Sequence, residues 1–302
     1  MRVDYIDESR LSIGQRYHMD DLKKIYDDGG FFRGINTRTD DSGEIEFIVL
    51  TSSGDSHYSD DLHGERFRYI GEDYGDGDQR KTAGNGRLIA QCEELTVPIY
   101  FFSRNKKGED WEYEGLVDVV DHEYISEGGR MINRFLLEKL EVTSTQEYEE
   151  VEADVEDESS NPPLKEDEEQ EAKIGKRKVR SSLFRRRVKQ YYDETCAICG
   201  SNRKSPEGNP EVEAAHIYPR RENGRDHYRN GLALCRLHHW AFDNGWISVS
   251  DDFEVLVQDQ SDRKEPEEFA DLRGNTLVLP DNENHWPLPK YLRKHREIHQ
   301  ID

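Results

Sequence analysis

The stretch that decides the fold of the C-terminal part reads Cys196-Ala-Ile-Cys199-Gly200, then Val212-Glu-Ala-Ala-His216-Ile217, then Asn230-Gly231-Leu-Ala-Leu-Cys235-Arg-Leu-His238-His239-Trp-Ala-Phe-Asp243. Two sets of metal-binding side chains are interleaved in it. Cys196-x2-Cys199 is followed, after 35 residues, by Cys235-x2-His238. Paired thiolate and imidazole half-sites at this spacing suit a tetrahedral structural zinc. The second set is His216, Asn230, His239 and Asp243, which suits a single-metal site acting on a phosphodiester. His239 and Asp243 are four apart, so on a helix they share one face. Val212 to Ile217 reads as a short strand with His216 near its end. Taken singly, each feature has a plainer reading. The cysteines could be buried thiols or a redox pair, His216 a core histidine, and His239 with Asp243 a solvated helix face. A disulfide framework does not fit a chain of this length with no signal peptide. The two half-sites flank the strand, so zinc would clamp a small motif that has little core of its own. Cys92 lies far away in sequence and reads as a buried apolar residue.

The segment from about Arg180 to His295 resembles an HNH endonuclease domain of the ββα-metal class. The motifs that carry the resemblance are Phe184-Arg185 to Tyr191, the Cys196-to-Gly200 knuckle, Ala214-Ala215-His216-Ile217, Asn230-Gly231-Leu232, His239-x3-Asp243-Asn-Gly, and the tail from Leu279-Pro280 to His295-Arg296. The resemblance implies that His216 is the general base, a role that a neutral imidazole suits near neutral pH. It implies that Asn230 fixes the loop that aims His216, and that His239 and Asp243 hold a catalytic Mg²⁺ or similar divalent ion. Many members carry a His or Asp ligand immediately before the base, where this chain has Ala215. Two protein ligands with water and phosphate oxygens completing the shell fit magnesium, which keeps several waters.

The formal net charge of -23 over 302 residues runs against phosphate binding, which calls for Lys and Arg. Part of the excess is local. The run from Glu147 to Glu171 is strongly acidic, contains Asn161-Pro-Pro163 and shows no apolar period, so residues 146–175 read as a disordered or extended linker. Basic residues cluster beyond it, as Lys176, Arg177 and Arg180, then Arg185, Arg186 and Arg187, and these are the candidates for DNA-backbone contact. No window resembles a membrane span, and the charged start Met1-Arg-Val-Asp4 is unlike a signal peptide, so a cytoplasmic location is expected.

Residues 1–145 read as a first domain, mostly β, and 176–302 as the nuclease. Met19–Tyr26 predicts a short helix. Glu44–Thr51, Arg66–Ile70, Val97–Phe102, Trp111–Val120 and Arg130–Leu140 predict strands, being rich in aromatic and β-branched residues between Gly and Asp clusters. The expected class is therefore α+β, with a barrel or strongly bent sheet in the first domain. The motif order Tyr58-Ser-Asp60-Asp61, Phe67-Arg-Tyr69-Ile-Gly71, Gly75-Asp-Gly-Asp78-Gln79, Gly84-Asn85, Val97-Pro-Ile-Tyr100 and Tyr113-Glu-Gly115 resembles the SRA (YDG) domain, a PUA-like barrel that reads modified bases. Glu114 stands where that family has Asp. The resemblance implies base flipping, in which aromatic faces stack the extruded base and polar groups bind its Watson–Crick edge. Tyr69 and Tyr74 are then the candidate stacking rings. Asp73, Asp76 and Asp78 are candidate acceptors, and Gln79 and Asn85 complete the pocket or brace its loop. Tyr69 as a core residue and the Gly-Asp run as a solvated loop are the plainer readings.

The expected function is modification-dependent, type IV-like restriction. The first domain would find 5-methylcytosine or a relative in double-stranded DNA, and the nuclease would cut nearby. A homodimer or two copies on DNA would supply the two active sites that double-strand cleavage needs. The alternatives are a non-catalytic modified-DNA-binding protein with a degenerate HNH fold, and a generic HNH nuclease indifferent to modification.

Overall fold

The aromatic and β-branched runs of the first half pair into one strongly curled sheet. A computed structural model describes residues 8–26, 34–39, 45–54, 64–72, 77–93, 97–158, 161–166, 174–206, 208–258 and 267–301. The chain divides into two units, residues 1–150 with 174–178, and 151–173 with 179–302.

The first unit contains β1 (Arg16–Tyr17), α1 (Met19–Ile25), β2 (Ile35–Thr39), β3 (Ile45–Ser53), β4 (Arg66–Ile70), α2 (Ala83–Glu93), β5 (Ile99–Arg104), β6 (Trp111–Glu127) and β7 (Arg130–Lys139). The sheet order is β2-β3-β5-β6-β7-β4, with β1 added to β6. All pairs are antiparallel except β3 with β5. The 17-residue β6 makes the curl: its first half pairs with β5 and its second half with β7. Register shifts beside Phe101/Phe102 and at Val119/Asp121 mark bulges, which bend a strand and increase its twist. The result is the half-barrel form of the bent sheet that the strand pattern predicts.

Strand alternation sorts the side chains between two faces. Ile48, Leu50, Ile99, Phe101, Val117, Val119, Phe135 and Leu137 form one core, into which α2 places Leu88. Tyr26, Phe47, Tyr100, Phe102 and Tyr113 form an aromatic cluster with ring centroids 4.9–6.4 Å apart along its contacts. The Tyr113-Glu-Gly115 motif sits at the first bulge. Gly115 has φ +94°, and a Cβ there would lie 3.0 Å from Ile13 Cδ1 and 3.2 Å from the Val142 carbonyl. Glycine is therefore needed for both conformation and space. Tyr113 donates its hydroxyl to the Thr143 carbonyl at 2.9 Å, so this motif builds the sheet corner.

The acidic stretch departs from its sequence reading. Thr145–Asp157 is a helix, α3, not an extended linker. Only Val151 and Val155 are apolar anchors, four apart and fully buried, too few to show as a period among so many acids. Their neighbours are neutralised within the second unit. Arg180 lies 3.5 Å from Asp154 and 3.7 Å from Glu158, and Arg187 lies 3.1 Å from Glu152 and 2.9 Å from Glu156. Residues 161–166 continue as a strap: Lys165 bridges Gly224, and Tyr291 donates to the Pro163 carbonyl at 2.7 Å.

Helix α4 (Ile174–Tyr191) contributes Val179, Leu183, Phe184 and Val188 to the core of the second unit. Strands β8 (Glu213–His216) and β9 (Gly231–Leu234) pair antiparallel and lead directly into α5 (Arg236–Asp243). This is the ββα arrangement expected of the motif. A hairpin of β10 (Ile247–Val249) and β11 (Val255–Val257) follows, then α6 (Glu267–Ala270) and α7 (Pro289–His299). His295 of α7 stacks on Phe242 at 3.7 Å and meets Ser248 Oγ at 2.8 Å, which ties α7 to α5 and β10. Burial holds His295 near a pKa of about 3, so it is a neutral packing residue. Among the described residues no helix is long and apolar enough to cross a membrane.

Candidate active site

The thiols and imidazole of the first motif set converge. One donor atom from each of Cys196, Cys199, Cys235 and His238 lies within 4.8 Å of all the others. His238 Nδ1 is 3.5 Å from Cys196 Sγ and 3.2 Å from Cys235 Sγ. A tetrahedral zinc with bonds of about 2.0–2.3 Å sets donor–donor edges of about 3.5–3.8 Å, so the cluster has the shape as well as the chemistry to hold a metal. Hydrogen bonds from Cys235 and then His238 draw the Cys196 thiol well down, and the same contact pushes Cys235 up. The knuckle is joined to the sheet through Ala197, whose N–H donates to the Ala233 carbonyl of β9 at 2.8 Å.

His216 closes β8, opposite Gly231. A Cβ on Gly231 would lie 2.4 Å from Val188 Cγ2 and 2.8 Å from Phe184 Cε2, so glycine lets α4 press directly on the hairpin. That approach lays Phe184 flat against the His216 ring, with centroids 3.8 Å apart and planes 15° from parallel. The ring edge is held too: His216 Nε2 is 2.8 Å from Asp226 Oδ1. Asn230 is fully buried and closes the intervening loop. Its Oδ1 accepts from the Tyr218 N–H at 2.8 Å, and its Nδ2 donates to the carbonyls of Tyr218 at 3.0 Å and Arg225 at 2.9 Å.

His239 and Asp243 share the exposed side of α5, with Nε2 and Oδ2 3.4 Å apart. The other ring nitrogen, Nδ1, meets Glu213 Oε2 at 2.7 Å. Glu213 lies two residues before Ala215, hence on the same side of β8. The strand that lacks a ligand at 215 thus sends a carboxylate from 213 to the imidazole on α5. Sequence reasoning missed both Glu213 and Asp226. The period-two alternation of β8 could have singled out Glu213. Asp226 has no such signal, because its place depends on how the loop folds.

The basic clusters are placed differently from their sequence reading. Arg180, Arg186 and Arg187 are buried at 5, 8 and 9% exposure, and Arg180 and Arg187 face the acids of α3, so these three do not form a phosphate-binding surface. Arg177 is exposed, Lys176 lies 3.8 Å from Glu150, and Arg185 donates to Ser181 Oγ at 3.0 Å.

In the first unit, Tyr69 is also corrected. Its ring is 2% exposed inside the core with Phe67 and Leu50, because position 69 alternates inward on β4, so it offers no free stacking face. Asp73, Tyr74 and Asp76 lie outside the described residues. Gln79 donates to the Gly71 carbonyl at 2.5 Å and accepts from the Asn133 N–H at 2.8 Å. Asn85 accepts from the Glu72 N–H at 2.9 Å and donates to the Glu72 and Arg80 carbonyls at 2.7 and 2.9 Å. These two buried amides clamp both ends of the segment between 72 and 79. Asp78 accepts from the Met131 N–H at 2.7 Å.

Residues 196–250 match the HNH endonuclease family, HNH_2, so the second unit carries an HNH endonuclease domain. Across nearly its whole length the chain has the fold of the modification-dependent TagI restriction endonuclease, with a TM-score of 0.55 at 20% identity over 97% of this chain and 95% of that one. The SUVH5 SRA domain in complex with fully methylated CG DNA aligns with 48% of this chain and 97% of that one, at 20% identity and a TM-score of 0.39. The same domain bound to fully hydroxymethylated CG DNA aligns with 45% of this chain and 93% of that one, at 21% identity and a TM-score of 0.38. No curated protein sequence matches the chain.

Proposed function

We propose that the protein is a modification-dependent restriction endonuclease. The first unit binds duplex DNA that carries a modified base, 5-methylcytosine or a 5-substituted relative, and the second hydrolyses nearby phosphodiesters. The observation that carries this reading is the HNH match on residues 196–250, set in a fold shared along 97% of the chain with TagI. His216 takes the proton of a water whose oxygen attacks phosphorus. The ester bond to the leaving sugar oxygen breaks, and that oxygen is protonated by solvent. His239 and Asp243 would hold Mg²⁺ or a similar divalent ion, which when bound polarises the phosphate. Cys196, Cys199, Cys235 and His238 would hold zinc, which holds the small module together. Cleavage of both strands takes two copies on the DNA.

Glu213 orients His239 in this reading, because a carboxylate on one ring nitrogen leaves the other nitrogen to face Asp243 and the ion. Groups that orient a ligand in this way contribute about 10–100-fold to metal affinity. Titration calorimetry with Mn²⁺ should therefore show Glu213→Gln binding the ion more weakly by that factor while zinc content stays constant.

The functional test is cleavage of methylated and unmethylated plasmid with Mg²⁺ over a salt series, since phosphate contacts are salt-sensitive and blind to modification. Preferential cutting of methylated plasmid is expected. The burial of Tyr69 favours a second reading, a nuclease without base preference. Equal cutting of both plasmids would select that reading, and no cutting of either would leave a DNA-binding protein.

A further inference from the structure

Asp226 has no part in the scheme above, yet it is the group that holds the His216 ring edge. Its residue is 1% exposed. One carboxylate oxygen, Oδ1, is 2.8 Å from His216 Nε2. The other, Oδ2, makes no hydrogen bond among the described residues and has Arg220 3.4 Å away as its counter-charge. The backbone is pinned as well, since the Asp226 N–H donates to Glu166 Oε1 at 2.8 Å. Glu166 is also paired with the buried guanidinium of Arg225, which reaches Glu158 on its other side. The acidic strap therefore fixes the position of Asp226.

We propose that Asp226 is the positioning residue for the general base. An ionised carboxylate only accepts hydrogen bonds, so the proton of the neutral imidazole must sit on Nε2. That leaves the lone pair on Nδ1, which becomes the atom that takes the proton from water. Phe184 already restrains the ring plane, and the remaining freedom is a half-turn that would put carbon where each nitrogen now lies, Cε1 in place of Nε2 and Cδ2 in place of Nδ1. The Asp226 hydrogen bond opposes that turn. In the step itself a water O–H bond breaks, its proton goes to Nδ1, and the hydroxide oxygen bonds to phosphorus as the sugar ester bond breaks. The leaving oxygen takes a proton from solvent, and the imidazolium later returns its own. Asp226 neither gains nor loses a proton. This inference rests on the endonuclease reading and adds which nitrogen acts and what holds it.

The test uses the full-length, zinc-replete protein and compares wild type with Asp226→Asn, which keeps the shape but can donate from its amide. Single-turnover cleavage of methylated duplex should slow by about 10²–10⁴-fold, the cost of an imidazole in the wrong tautomer or orientation. Duplex affinity should stay within about threefold, because the interaction matters only as the water gives up its proton and attacks phosphorus. Nitrogen-15 NMR of histidine-labelled protein, with the signal assigned through His216→Gln, should show Nε2–H in wild type and a shift toward Nδ1–H in Asp226→Asn. A purely structural role would not move that signature. An Asp226→Asn variant that cuts at the wild-type rate would overturn the proposal, as would a wild-type His216 carrying its proton on Nδ1. If the variant does not fold, the wild-type tautomer decides. Wild-type protein that cuts no duplex at all would instead sink the endonuclease reading.

Discussion

Replacing His216 with alanine is expected to lower the cleavage rate by about 10²–10⁴-fold, the usual contribution of a general base. Zinc content and the affinity for DNA should not change. The side chain is positioned by the Phe184 face and the Asp226 carboxylate, not by any metal donor of the cysteine cluster. Rate should be measured under single turnover, with binding measured separately without divalent ion. Because Arg220 remains beside Asp226 in the variant, the buried carboxylate keeps a counter-charge and the unit should stay folded. A variant that cuts at close to the wild-type rate would remove His216 from the mechanism.

The second large effect is expected from the cysteine cluster. Cys196→Ser or Cys235→Ser should lose one tightly bound zinc and unfold the second unit, while the curled sheet of the first unit still melts cooperatively. Structural zinc in small modules contributes about 10–16 kcal/mol of apparent binding energy, which is also folding energy. Here the cluster joins the knuckle at Cys196 and Cys199 to the start of α5. Asp243→Ala is the contrast, since it lies outside the cluster and should spare both zinc and fold. Elemental analysis with circular dichroism would check both. Wild-type protein purified without chelator that contains no zinc would refute the assignment.

Much of this could be read in advance because the signals were local. Cys-x2-Cys and Cys-x2-His fix donor pairs within one turn of chain, and β9, which binds the knuckle and leads into α5, brings the pairs together. Likewise β4, β6 and β7 announced themselves through aromatic and β-branched runs. What was not legible depended on partners distant in sequence. Helix α2 begins Ala83-Gly-Asn-Gly86, a poor helical start, and it is held by packing of Leu88 against the sheet and by the Asn85 hydrogen bonds to Glu72 and Arg80. Helix α3 was hidden because two valines carry its buried face and its acids match arginines 26 to 35 positions later. Tyr69 was misplaced because an aromatic on a strand serves a core or a pocket equally well, and only the side of the sheet decides.

The burial of Arg225 between Glu158 and Glu166 bears on how such enzymes can be recombined. The catalytic module does not begin at its first basic helix. It includes the acidic strap, because removing Glu158 and Glu166 would leave a guanidinium sealed from water with no counter-charge. Grafting this cutter onto a different DNA reader therefore requires a junction near residue 150, and a chimera joined at 176 would inherit the zinc knuckle and the histidines without the residues that keep them in place.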